Sequence, residues 1–198
     1  MMQLAFSVLL ISDDLNGTGS IQEGLVAAGA SQIYKCSSDD HFLQKLDSVH
    51  VDLIVLDVDK PTVELFEKFS LVRDFCPKPV VCFSNDSDSK VIEKSVKAGV
   101  AAYIVDGKSP ERVKPIIDVA IMRFNECQAV KKELASVKDK LAERAVIEKA
   151  KGLLMEHKGM NEDEAYKTLR KMAMDQGKKI SVISHEVCGV LIGLEGGE

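Results

Sequence analysis

The stretch RAVIEKAKGLLMEHKGMNEDEAYKTLRKMAM, Arg144 to Met174, decides how the last third of the chain folds. Ile147, Ala150 and Leu154 recur at helical spacing, and Ala165, Leu169, Met172 and Ala173 repeat the pattern, so the spacing predicts two amphipathic helices around one core. Gly159 suits the end of the first. Asn161, with Glu164 three positions on, makes a capping box for the second, and Glu162 and Asp163 suit the positive end of its dipole. Downstream, Ile180, Ile183, Val187, Val190, Leu191 and Leu194 fall on one face of a third helix, with Ser181 or Ser184 available as its cap. The expectation is a small three-helix module over residues 143–198, ending in a disordered, Gly-rich tail after Leu194.

Basic and aromatic side chains are set into these helices at whole turns. Arg144 and Lys151 stand two turns apart on the first, Tyr166 and Arg170 one turn apart on the second, and Lys171 adjoins them. Unpaired RNA bases stack on aromatic and guanidinium planes while cations hold the phosphates, and this set supplies both. Plainer roles compete: Tyr166 borders the apolar arc and can pack, Arg144 faces Glu148 four residues on, and Lys167 and Lys171 fit a solvated face. Gly152, in mid-helix, costs about 1 kcal/mol relative to Ala, which points to close approach of a helix or a phosphate backbone. The run Ala150-Lys151-Gly152, the pair Ala165-Tyr166, and Leu169-Arg170 with Ala173 resemble the ANTAR output domain of bacterial regulators, over residues 143–194. That resemblance implies an RNA target, small hairpins with exposed loop bases in a leader transcript, whose stabilisation prevents a terminator hairpin.

The first 120 residues have another rhythm. Apolar runs at Ala5–Ile11, Leu53–Leu56, Pro79–Phe83 and Ala101–Val105, with a weaker one near Gln32–Cys36, alternate with helical patterns at Val63–Phe75, Lys90–Ala98 and Pro110–Phe124. Five strands alternating with helices predict a parallel, doubly wound, flavodoxin-like sheet whose site lies beyond the carboxyl ends of its strands. The polar residues there are Asp13 and Asp14, Asp57, Ser84, and Asp106 with Lys108.

That set, with Pro61 and Tyr103, resembles the receiver domain of a response regulator. The resemblance implies Asp57 as phospho-acceptor, Asp13, Asp14 and Asp57 as a possible Mg²⁺ site, and Ser84, Tyr103, Asp106 and Lys108 at the switch positions. A carboxylate nucleophile needs Mg²⁺ to neutralise incoming phosphoryl oxygens, and Mg²⁺ favours carboxylate oxygens. Where receivers place a lysine three residues past the tyrosine, this chain has Asp106, so the phosphate-facing cation is missing unless Lys108 bends back. A fourth carboxylate would repel an aspartyl phosphate. Ser84 at a strand end suits local backbone groups better than chemistry. The Tyr103–Gly107 run, Pro115–Phe124 and Ala142–Met155 are similar to nitrate- and nitrite-responsive antitermination regulators, which implies input from a nitrate- or nitrite-sensing partner protein rather than phosphorylation.

Between the two parts, residues 121–142 read as a helical linker, since from Pro110 onwards no Pro after Pro115 and no Gly before Gly152 interrupts the helical pattern. Cys127, Val130, Leu134, Val137 and Leu141 alternate in steps of three and four, the seam of a coiled coil and hence of a parallel homodimer. The seam is short, and the same face would serve for packing on the chain's own third output helix.

Composition narrows the classes. Residues 1–127 carry 13 Lys and Arg against 19 Asp and Glu, whereas Lys131–Lys179 carry 13 against 9, so only the second region favours a polyanion. The five cysteines and four histidines lack metal or disulfide spacing, and no phosphate loop, nucleophile elbow or HExxH pair suggests an enzyme. The N-terminal apolar run is too short to span a bilayer, so a cytoplasmic protein without membrane contact is expected. Two rivals remain: a phosphorylated response regulator that reads DNA, which the few basic side chains of Ile180–Leu194 disfavour, and a protein-binding adaptor.

Overall fold

A computed structural model describes residues 5–38, 42–75 and 77–195. Cys76, His41 and the tail from residue 196 lie outside the described residues, as does the side chain of Leu194. The chain divides into two compact units, Met1–Gln128 and Ala129–Glu198.

In the first unit the apolar runs become strands because they are buried on both sides, as parallel sheets require. β1 (Phe6–Ser12), β3 (Leu53–Asp57) and β4 (Val80–Ser84) form the centre, with β2 (Ala30–Ser37) and β5 (Ala102–Val105) at the edges. The order is β2-β1-β3-β4-β5 and every pairing is parallel. Strand alternation sends Leu9, Ile11, Ile54, Leu56, Val80 and Cys82 to one face, where they meet Phe42 of α2 (Phe42–Ser48), Phe66 and Phe69 of α3 (Val63–Phe75) and Ala98 of α4 (Ser89–Ala98). Phe42 and Phe69 stack there with ring centres 4.9 Å apart.

The other face carries Val8, Leu10, Leu53, Val55, Val81 and Phe83. It is covered by Ile21 and Leu25 of α1 (Gly19–Ala27) and by Val113, Ile117 and Ala120 of α5 (Pro110–Lys158). A Cβ on Gly24 would stand 2.4 Å from Val113 Cβ, so glycine there lets α1 and α5 approach. Central strands and α3 match the expected runs, and the sheet order puts the ends of β1 and β3 side by side, with Ser12 paired to Asp57.

α5 begins in the first unit and ends in the second. There its last turns join α6 (Glu162–Gln176) and α7 (Ile180–Glu195). Ala150 and Leu154, Ala165, Leu169 and Ala173, and Ile183, Val187, Cys188 and Leu191 make the core. The Asn161–Glu164 capping box is formed in both directions, at 2.9 Å each way, and Gly159 is left-handed at φ 63°.

Three details differ from the spacing argument. Val146 and Leu153 pack on this core, whereas Ile147 is not among its members. Val190 is 65% exposed. Neither serine caps α7: Ser184 Oγ donates back to the Ile180 carbonyl at 2.8 Å, and Ser181 Oγ approaches Glu143 Oε1 at 3.5 Å.

Candidate functional site

The ends of β1, β3 and β5 enclose a pocket of about 130 Å³ lined by Ser12, Asp13, Asp14, Gly17, Asp57, Asp59 and Lys108. Asp57 is buried where β3 stops, and its Oδ2 lies 3.5 Å from Ser12 Oγ. The backbone N–H of Asp13 donates to the Asp57 carbonyl at 3.3 Å, tying the acidic turn to the strand end. Asp14 Oδ1 accepts from Asn16 N at 3.0 Å, and Asp13 Oδ1 accepts from Ser38 Oγ. A Cβ on Gly17 would meet Asp14 Oδ2 at 2.7 Å, so a side chain there would displace the Asp14 carboxylate.

The cation in the pocket is Lys108. Its Nζ stands 2.8 Å from Asp57 Oδ1 and 3.1 Å from Asp59 Oδ1. Asp57 Oδ1 accepts no directed hydrogen bond, so charge attraction is what holds that contact. Burial pulls the ammonium toward neutrality, but contact with the carboxylates of Asp57 and Asp59 reverses this and raises its pKa above the ordinary lysine value. The expectation that Asp106 inverts the pocket's charge is corrected here. Asp106 is exposed and does not line the pocket, while its left-handed backbone, φ 52°, turns the chain so that Lys108 reaches inward. Arg112 Nη1 donates to the Asp106 carbonyl at 3.2 Å, and the Asp106 N–H donates to Ser84 O at 3.2 Å, which fixes that turn.

Ser84 and Tyr103 serve the backbone. Ser84 Oγ donates to the Asp59 carbonyl at 2.9 Å and accepts from the Asp86 N–H at 3.0 Å. Tyr103 donates to the Asp86 carbonyl at 2.9 Å, and burial pushes its phenol pKa up. Asp59, which also accepts from Asn85 Nδ2 at 2.8 Å, is with Ser12 and Gly17 a pocket residue that sequence reasoning missed, although the Asp57-Val58-Asp59 repeat places both carboxylates beside one strand end.

Carboxylates are the right donors for Mg²⁺. Among the described residues, however, no group of three or more His, Cys, Asp or Glu side chains is gathered closely enough to hold a metal ion. Asp13, Asp14 and Asp57 share the pocket but not a common centre, and an ammonium stands against Asp57. The donors as arranged do not fit the ion.

In the second unit Lys151 is the main correction. Its side chain is only 9% exposed, and Nζ lies 2.8 Å from Glu148 Oε2 and 2.7 Å from Glu162 Oε1. These two contacts raise its pKa and make it a bracket between α5 and the first turn of α6, not a free cation. Gly152 is exposed and a Cβ there would touch nothing within 4 Å, so no neighbouring helix accounts for it. Tyr166 is 44% exposed, and Arg144, Arg170 and Lys171 are exposed. Tyr166 therefore does not pack into the bundle: Ala165 and Leu169 beside it fill the core, and Tyr166 with Arg170 stays on the outside of α6.

The linker seam is exposed along its length: Cys127, Val130 at 60%, Leu134 at 53%, Val137 at 47% and Leu141 at 62%. Packing on the third output helix is thus not its role within one chain. No helix among the described residues is long and apolar enough to cross a membrane.

Comparison with known proteins bears on both units. Residues 135–187 match the ANTAR domain. The chain is 31% identical over 140 residues to the Transcriptional regulatory protein PdtaR of Mycobacterium tuberculosis (strain ATCC 25618 / H37Rv), covering 71% of this chain and 68% of that protein. It is 40% identical over 77 residues to the Nitrate regulatory protein of Klebsiella oxytoca, covering 39% of this chain and 19% of that one. Among solved structures it resembles a CheY-like response regulator receiver domain protein from Methanospirillum hungatei JF-1, with TM-score 0.53, 18% identity, and coverage of 62% of this chain and 98% of the other. The chemotaxis response regulator CheY4 of Vibrio cholerae gives TM-score 0.51 at 18% identity, covering 59% and 99%.

Proposed function

Because the chain belongs to the ANTAR response regulators, a receiver-like domain joined to an ANTAR domain and related to nitrate regulators, we propose that it is a transcription antitermination regulator whose ANTAR unit binds hairpin-loop RNA in leader transcripts. The observation that carries this reading is the outer face of α6. An exposed tyrosine lies one turn from an exposed arginine, with Lys171 beside them and Arg144 on α5, which offers a stacking plane and phosphate-directed cations that the fold itself does not consume. Gly152 adds an open, Cβ-free stretch of helix surface suited to a phosphate backbone. Residues 121–142 act as a coiled-coil linker whose exposed seam forms a homodimer.

The input we assign to a nitrate- or nitrite-sensing protein partner acting on the receiver-like unit. Its support is the pocket's own chemistry: Lys108 already neutralises Asp57, Ser38 engages Asp13, and no metal-holding group is gathered among the described residues. Incubation with acetyl phosphate and Mg²⁺ leaves Asp57 unmodified on this reading. A hydroxylamine-labile phosphoryl adduct on Asp57 that alters RNA binding would replace it with a phosphorelay.

The RNA reading is tested by substitution. Tyr166→Ala and Arg170→Ala should each weaken binding to a two-hairpin RNA about tenfold or more, the loss of roughly 1–3 kcal/mol seen for a stacked base, without changing the thermal midpoint. Unchanged RNA affinity in both variants would favour a protein-binding adaptor.

A further inference from the structure

The pocket at the strand ends has the carboxylates of a cation site, and the chain supplies the cation itself. Asp57 is buried at 7% exposure, Asp59 stands beside it, and the Lys108 ammonium lies within 2.8 and 3.1 Å of the two. This pairing is built rather than incidental. A non-glycine residue, Asp106, adopts φ 52°, a conformation that L side chains rarely take, immediately before Gly107 and Lys108. Two hydrogen bonds, from Arg112 to the Asp106 carbonyl and from the Asp106 N–H to Ser84, hold that turn, and Asn85 Nδ2 donates at 2.8 Å to the same Asp59 oxygen that Lys108 contacts. Gly107 is buried, with a Cβ position only 2.3 Å from Ile104 Cγ2, so the segment cannot be relaxed by an ordinary residue without shifting its neighbours.

We propose that Lys108 is the resident counter-ion of this pocket, an internal latch that takes the place of a divalent metal and joins the segment leading into α5 to the ends of β3. A buried carboxylate left without a cation is costly, and a tethered ammonium satisfies it at any metal concentration. The same ammonium repels a second cation from the space between Asp57 and Asp59. The receiver-like unit therefore holds one state whether or not Mg²⁺ is present. This deepens the reading that input arrives from a protein partner, and it does not involve RNA.

The test uses the full-length chain and MgCl₂ alone. Thermal unfolding of the wild type is followed across a MgCl₂ titration and in NaCl of matched ionic strength, with Mn²⁺-induced water proton relaxation as a direct reading of metal binding. The wild type should show the same midpoint in both salts and no relaxation enhancement. Lys108→Gln should unfold at a lower temperature in NaCl, and Mg²⁺ should raise its midpoint with the logarithm of metal concentration, as ligand linkage requires. Asp59→Asn, which keeps the Asp57–Lys108 pair, should stay insensitive to Mg²⁺. Saturable metal binding by the wild type overturns the proposal even if the Gln variant does not fold. So does a folded Gln variant that ignores Mg²⁺, or an Asp59→Asn variant that responds to it. Loss of RNA binding would leave every one of these readouts unchanged, so failure of the two ideas is distinguishable.

Discussion

Two glycines show how much an environment decides at the scale of one residue. Gly152 sits in mid-helix with open space where a Cβ would be, so alanine there should remove a propensity penalty of about 1 kcal/mol and stabilise the ANTAR unit by that order. Gly24 occupies the contact between α1 and α5, where a Cβ would overlap Val113, and alanine should destabilise the receiver-like unit by about 1–3 kcal/mol. Urea unfolding of Gly152→Ala and Gly24→Ala checks both signs. If Gly152→Ala is more stable yet binds RNA less tightly, the glycine is retained for the ligand; if stability falls, its helix surface is not free. Lys151 teaches the complementary lesson: a lysine at the right helical spacing for a ligand is spent on Glu148 and Glu162.

The element that most needs a partner is the middle of α5. Cys127, Val130, Leu134, Val137 and Leu141 repeat at a and d spacing, and all are exposed in the single chain. An apolar seam of this kind is stable in water when it is covered, and a second copy presents the matching seam. Sedimentation should therefore show a dimer, and Leu134→Asp with Leu141→Asp should give a monomer with both units folded. Cys127 reports the register. In a parallel pair the two thiols face each other and a mild oxidant should link them, whereas Cys82, whose pKa burial pushes up to about 12, stays unreactive in the native state. A wild-type chain that remains monomeric at high micromolar concentration, with no Cys127 cross-link, would contradict the seam.

Across the whole molecule, what could be read in advance was what depends on local pattern. β1, β3 and β4 are buried on both faces and so appear as unbroken apolar runs, and the Asn161–Glu164 box needs only three residues of spacing. β2, an edge strand that is only partly buried, gave a weaker signal, and α1 and α2 are too short, at 9 and 7 residues, to show a clear period. The pocket residues on the strand ends were legible because a parallel sheet collects them there. Lys108 was among them, but that it and not Asp106 enters the pocket was not legible, because its reach depends on the left-handed backbone of Asp106. Nor was the fate of Lys151, whose partner Glu162 lies 11 residues on, across the turn between two helices. Solvent-facing and core-facing positions on α6 could be separated only once Ala165 and Leu169 were seen to fill the core and leave Tyr166 outside.

The central claim is that the ANTAR unit reads RNA, and the most direct test is binding of the full-length chain to a labelled two-hairpin leader RNA and to a duplex DNA of equal length, over a series of salt concentrations. Phosphate contacts make both weaken as salt rises, whereas contacts to loop bases are made only with the RNA. The account predicts tighter binding to the RNA at every salt concentration, abolished when the loop bases are replaced by abasic linkers. Equal, purely salt-driven binding to both nucleic acids, or binding to neither by the purified dimer, would contradict it.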